Sequence, residues 1–196
     1  MPEVHHAPEL FPHIRIVIGM VIGLGVARLL NGVARVLQDP GQSATDPIHL
    51  GWVASMLLLL IHFWWWEFGL YGVAQWTFSK YLFVISYAVL LFLISAFLFP
   101  ESMANYSGYG HFFFARRAWF FGLLALSFVF DVGDTALKGE AHYARFGLEY
   151  EIRTVLLIVA CIIAAIWRNR IFHAIFVIAL LAHEISWIAR LFATQG

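Results

Sequence analysis

The sequence is poor in charge, and this property sets the class of protein before any motif is considered. Only 12% of its 196 residues are charged and 62% are hydrophobic, whereas soluble domains have about 25% charged and about 45–50% apolar residues. Acidic and basic residues balance at a formal net charge of zero, so we expect no nucleic-acid partner. The single cysteine, Cys161, excludes an internal disulfide.

Sequence motifs that identify an enzyme are missing as well. The chain has no His-Glu-x-x-His metal motif, no Gly-x-Ser-x-Gly nucleophile motif and no glycine-rich phosphate loop. Lysine is almost absent from the apolar segments, which argues against a retinal Schiff base. We therefore assign no catalytic residue, and we favour a function without catalysis.

Six long apolar segments fill the chain instead. Most approach the ~20 residues that a helix needs to cross a ~30 Å hydrocarbon core, and backbone groups in lipid must be bonded within their own segment. We therefore predict an all-α fold: a single domain over residues 1–196, folded as a compact bundle of six transmembrane helices with short interfacial connections. The predicted spans are 14–37, 48–70, 81–99, 118–137, 152–167 and 171–188.

Ionisable residues interrupt these apolar segments: His62, Glu67, Asp131, Asp134, His183 and Glu184. Each such group costs roughly 2.5–3.5 kcal/mol at the centre of a membrane helix, and such groups usually face one another, a water-filled cavity or a partner. His62, Asp131 and Glu184 each lie 14 residues beyond Ile48, Arg117 and Arg170, which is about 21 Å into three helices that run in the same direction. The sequence therefore predicts a polar cluster at one depth.

Two members of the set lie deeper than this level. Glu67 and Asp134 approach the opposite membrane face, where Arg190 is placed to meet them. Asp131 and Asp134, at positions i and i+3, share a helix face, and such a pair can carry protons or hold a cation. The alternative is structural: one of the two carboxylates pairs with Arg28 or Arg190 and stabilises the bundle.

The same residues also suggest a metal or a haem. His62, Asp131, His183 and Glu184 offer imidazole and carboxylate groups, which suit zinc or iron, although their spacing is not that of a known motif. A bis-histidine haem between His62 and His183 is a further reading. The sequence requires no cofactor, so the identity of any haem or divalent metal stays unknown.

The first helix carries a different pattern. Gly19, Gly23 and Ala27 form a stripe of small residues at four-residue spacing, which is typical of a surface where another helix packs closely. Arg28 lies on an adjacent face, where we expect it either to extend towards the membrane boundary or to reach an internal carboxylate.

Three functions fit these features. The first, which we favour, is a small membrane transporter or channel that moves protons or a small cation through the His/Asp/Glu cluster. The second is a non-catalytic subunit of a larger membrane complex, and the third is a haem- or metal-binding membrane enzyme. We expect a lipid environment, that of a bacterial inner membrane, and a homo-oligomer or partner subunits. Positive residues are nearly balanced between the two faces, so the orientation is undecided.

Overall fold

The chain folds into helices along most of its length. A computed structural model describes residues 5–38 and 44–193, is 85% helical and confirms the all-α class. The α-helices are α1 (Ala7–Gln38), α2 (Pro47–Trp66), α3 (Phe78–Ala96), α4 (Tyr109–Leu137), α5 (Glu140–Ala144), α6 (Gly147–Ile166) and α7 (Arg170–Ala193). A 3₁₀ segment (Glu67–Gly72) follows α2, and two short strands, β1 (His5–His6) and β2 (Gln75–Trp76), pair antiparallel.

Five of these helices are long and apolar enough to cross a membrane. They are Leu10–Gln38, Pro47–Gly72, Phe78–Ala96, Tyr109–Leu137 and Arg170–Arg190. The predicted count of six is therefore supported only in part. The helix that falls short is α6, whose 20 residues include Glu149, Glu151 and Arg153 in its first two turns.

Local sequence explains where the helices begin. The Asp46 carboxylate accepts hydrogen bonds from the backbone N–H groups of Ile48 and His49, and Pro47 occupies the first turn, as a helix start favours. Asn169 caps α7 in the same way through its side-chain oxygen. The fourth predicted span, 118–137, lies within α4, which begins nine residues earlier at Tyr109.

The helices pack as neighbouring pairs. The pairs with the most extensive contact are α4 with α6, α1 with α3, and α2 with α7, whereas α6 and α7 contact each other sparsely. We call the end of the bundle where α1 begins and α7 ends the terminal side. The opposite end, where α2, α4 and α7 begin, is the loop side.

Glycines of α1 divide between the interior and the surface. A side chain at Gly32 would overlap the buried ring of Phe99, so glycine permits the close approach of α1 to the segment that follows α3. The predicted stripe lies elsewhere: Gly19, Gly23 and Ala27 line an outward-facing groove of about 410 Å³ between α1 and α2. A Cβ at Gly23 would meet nothing within 4 Å. A Cβ at Gly19 would lie 3.3 Å from the Trp64 side chain of α2, so the stripe is partly covered at Gly19 and open at Gly23.

Candidate functional site

A cavity of about 80 Å³ lies inside the bundle, among α2, α3, α4, α6 and α7. Its polar lining consists of His62, Tyr87, Ser127, Asp131, Tyr150, Arg153, His183 and Glu184, with the indole rings of Trp66 and Trp187 beside them. The volume is enough for several water molecules, and the lining offers them hydrogen-bond partners. His62 lies close to the end of α2 and Asp131 close to the end of α4, so the cavity lies nearer the terminal side.

Asp131 is held by a cation inside this cavity. Its Oδ2 accepts hydrogen bonds from Tyr150 Oη at 2.9 Å and from Arg153 Nη2 at 3.2 Å. The Arg153 guanidinium also lies 4.7 Å from the ring centre of Tyr150 and 5.1 Å from that of Trp187, an attractive placement for a cation. The Arg153 and Asp131 side chains remain 18% and 22% exposed, so both are accessible to water in the cavity.

Glu184 has a different environment. Both of its carboxyl oxygens lie 3.1 Å from Ser55 Oγ, whose single proton is shared between them. Within the described part of the chain the structure gives Glu184 no ion pair. Glu184 is thus a carboxyl on a cavity wall whose hydrogen-bonding capacity is mostly unused.

Two imidazoles complete the polar wall. Among the described residues the buried Nε2 of His183 has no hydrogen-bond partner, and its ring lies 6.0 Å from that of Trp187. The ring of His62 lies 6.0 Å from that of Trp66. His183 and Glu184 are adjacent on α7, so their side chains point about 100° apart around the helix axis. Both nevertheless line the same cavity.

The structure does not gather a metal-ligand set. Over residues 5–38 and 44–193, no three His, Cys, Asp or Glu side chains lie close enough together to hold a metal ion. His62, Asp131, His183 and Glu184 share a cavity without converging on one point. Metal and haem binding therefore stay predictions without structural support.

A second buried cluster contains the two deeper carboxylates. Lys138 Nζ donates to Glu67 Oε1 at 3.0 Å and to Asp134 Oδ2 at 2.5 Å, and all three side chains are at most 1% exposed. The Trp66 ring, whose centre is 5.0 Å from Lys138 Nζ, also lines the cavity. We call Glu67, Asp134 and Lys138 the lysine triad.

Two expected pairings were wrong. Arg190 pairs with Glu149 at 2.9 Å rather than with Glu67 or Asp134, for which Lys138 is the partner. Asp131 and Asp134 do not form a pair, because each binds a different cation: Asp131 pairs with Arg153, and Asp134 pairs with Lys138.

Arg28 reaches no carboxylate in the described structure. Its Nη2 donates instead to the backbone oxygen of Phe99 at 2.8 Å, which links α1 to the end of α3. This arginine therefore belongs to the helix packing and not to the cavity.

Aromatic side chains fill the bundle on the loop side of the cavity. Trp52 lies 5.3, 5.0 and 5.2 Å, by ring centres, from Phe120, Phe121 and Phe176. Trp52, Phe120 and Phe121 are fully buried, and Phe176 nearly so. We call these four residues the aromatic layer, and it separates the polar cavity from the loop side of the bundle.

Four of the residues that position the site were missed by the sequence reasoning. Tyr150 and Arg153 are spaced i and i+3 with Leu157 at i+7, one face of a helix, and this spacing is a signal that both face the cavity. Lys138 follows Asp134 at i+4, a spacing typical of a helical ion pair. Ser55 carries no such signal, because a serine in an apolar helix usually bonds its own backbone.

Comparisons with known proteins give no match: no protein-family model, no curated protein and no solved structure is significantly similar to this chain.

Proposed function

We propose that this protein is a small membrane transporter or channel that moves protons, with the Glu184 carboxyl as the group that takes up and releases the proton. The observation that carries the proposal is the difference between the two cavity carboxyls. Asp131 is committed to Arg153 and Tyr150, whereas Glu184 is held by one serine hydroxyl. A carboxyl with free oxygens on a hydrated cavity can exchange a proton without breaking an ion pair.

The neighbouring histidines support proton movement. Imidazole accepts a proton at one nitrogen and releases it from the other, and His183 Nε2 lacks a partner in the described structure. His62 and His183 line the same cavity as Glu184, and cavity water can connect groups that are not in direct contact.

A proton fits this site better than a metal cation does. One oxygen or nitrogen suffices to bind a proton, whereas hard cations such as Ca²⁺ take six or more oxygen ligands. Arg153 already places one positive charge beside Asp131, which disfavours a second cation at that carboxylate. Transport of a small cation instead of a proton is therefore the second outcome that the test below distinguishes.

Transport requires that the closed end of the cavity change. The aromatic layer blocks the loop side in this structure, and the sparse contact between α6 and α7 leaves this pair least constrained. We infer that the structure represents the state open to the terminal side. Movement of α7, which carries both Glu184 and Phe176 of the aromatic layer, would then open the loop side.

The test is ion flux into vesicles that contain the purified protein. A pH-sensitive dye inside the vesicles reports proton entry, and separate sodium and potassium gradients report a cation instead. We expect proton flux in the wild type, and at least a ten-fold loss in Glu184→Gln, which keeps the shape and the Ser55 hydrogen bond but cannot exchange a proton.

Glu101→Gln is the matched control, because Glu101 is exposed on the loop side, outside the cavity, and should leave flux unchanged. Equal flux in wild type and Glu184→Gln would refute the role of Glu184. Vesicles with wild-type protein that are no more permeable than empty vesicles would refute transport itself.

We also propose that α6 is the sixth span. Its outer face exposes a continuous row of apolar side chains: Ile152, Val155, Leu156, Val159, Ile162, Ile163 and Ile166. Such a face suits lipid and not water, and six spans would place both ends of the chain on one side of the membrane. Reporter fusions at the two termini test this, and a bacterial inner membrane is the location that we propose.

A second candidate is an accessory subunit of a membrane complex. It is favoured by the outward position of the stripe Gly19, Gly23 and Ala27, since small residues on a lipid-facing surface allow a neighbouring helix to approach. Native mass spectrometry after gentle extraction tests this reading, and a foreign subunit at constant stoichiometry would favour it over transport.

A further inference from the structure

A groove of about 400 Å³ lies on the loop side, far from the polar cavity. It is formed by the start of α4 and the turn between α6 and α7, and its lining is Ser107, Gly110, His111, Phe114, Arg168 and Arg170. The polar side chains in this lining are a hydroxyl, an imidazole and two guanidiniums. No carboxylate belongs to the lining.

The two arginines differ in their partners. Arg170 donates to Asp46 Oδ2 at 2.5 Å, but its side chain is 57% exposed while that of Asp46 is 8% exposed. The carboxylate thus lies behind the guanidinium, which still has free N–H groups towards the groove. Arg168 is exposed and makes no ion pair or hydrogen bond in the described part of the chain.

Further positive charge surrounds the groove. Arg116 and Arg117 follow His111 along α4, where Arg117 donates to the backbone oxygens of Phe114 and Ile166. With Asp46 offset by Arg170, the local balance is strongly positive. An anion entering the groove would find unpaired donors, while the carboxylate behind Gly110, that of Asp46, is only 8% exposed and already paired with Arg170.

We propose that this groove binds the phosphate group of an anion, and that the headgroup of an anionic phospholipid supplies it. The planar guanidinium fork matches phosphate oxygens, and basic pockets between membrane helices are typical sites for anionic headgroups. The surroundings suit a lipid, because Ile166, Trp167 and Ile171 are more than half exposed beside the groove. Apolar residues and tryptophan are expected where headgroup meets acyl chain.

The test is native mass spectrometry of the full-length protein, titrated separately with phosphatidylglycerol, phosphatidylcholine and inorganic phosphate. We expect one phosphatidylglycerol to bind preferentially, and Arg168→Gln to weaken that binding about five-fold, as is typical for the loss of one arginine at a membrane surface. The control is Arg35→Gln, since Arg35 is exposed at the end of α1 on the same side and does not line the groove.

Each outcome decides the proposal. Arg168-dependent binding of the lipid supports the site with a headgroup as its source, and Arg168-dependent binding of inorganic phosphate alone supports it with a soluble anion as its source. Equal affinity for both lipids, or equal weakening by Arg168→Gln and Arg35→Gln, overturns it. Loss of proton flux through Glu184→Gln with this binding intact would show that the two sites are separate.

Discussion

Removal of Lys138 should destabilise this protein more than any other single change to a charged residue on the terminal side. The ammonium group is the only cation that the structure places within hydrogen-bond distance of Glu67 and Asp134, at 3.0 and 2.5 Å in the described residues. Lys138→Met keeps most of the side-chain volume but leaves two carboxyls buried without a cation.

The size of the effect follows from the burial of the triad. Breaking a buried ion pair by removal of one partner costs about 3–5 kcal/mol, and the three side chains are at most 1% exposed. One kcal/mol shifts Tm by about 2–4 °C for a chain of this size. We therefore expect Lys138→Met to lower Tm by about 6–20 °C.

Thermal unfolding in mild detergent, followed by tryptophan fluorescence, measures this shift. Lys80→Met is the control, because Lys80 Nζ donates to an exposed backbone oxygen, that of Gln75, and should change Tm little. Adding Glu67→Gln and Asp134→Asn to Lys138→Met should restore most of the loss, since no buried carboxyl then remains. A single variant as stable as Lys80→Met, or a triple variant no better than the single one, would refute the reasoning.

Two further predictions concern packing and pH. Gly32→Ala should destabilise by about 1–3 kcal/mol because the new methyl group overlaps Phe99, whereas Gly23→Ala should be neutral or stabilising; equal Tm values for the two variants would contradict this. Burial alone would raise the pKa of Asp46, but hydrogen bonds from Arg170 and from the backbone N–H groups of α2 lower it overall. The charge of Asp46 should therefore stabilise the protein fully above about pH 4 and less as the pH falls through the lowered pKa. The Tm difference from Asp46→Asn should be constant from pH 5 to 8 and shrink below pH 4, and a difference that shrinks already at pH 6 would contradict this assignment.

Helix content was within reach of the sequence, and so was the grouping of His62, Asp131 and Glu184, which line one cavity. Hydropathy identifies the long helices. A rise of 1.5 Å per residue places His62 and Glu184 at a similar distance from the starts of their separate helices. The start of α4 could not be predicted from the sequence, because the aromatic residues around Phe112 are as typical of an interfacial loop as of a helix. For α6, the charges of its first turns conceal an apolar outer face.

Which side chains pair between neighbouring helices could not be predicted from the sequence. Asp131 and Asp134 are three residues apart on one helix, yet they join different clusters because α6 brings Arg153 to one and the end of α4 brings Lys138 to the other. The choice depends on which helices are neighbours, and nothing in a single sequence states that α4 packs on α6. The contact of Ser55 with Glu184 depends in the same way on the packing of α2 against α7.

The most direct measurement of the central claim is infrared difference spectroscopy of the protein in lipid as the pH is changed. If Glu184 exchanges protons with the cavity, the carbonyl band of a protonated carboxyl should appear and disappear with pH in the wild type. That band should be missing in Glu184→Gln and retained in Glu101→Gln. A wild-type difference spectrum that is unchanged by Glu184→Gln would contradict the account, because Glu184 would then take no part in proton exchange.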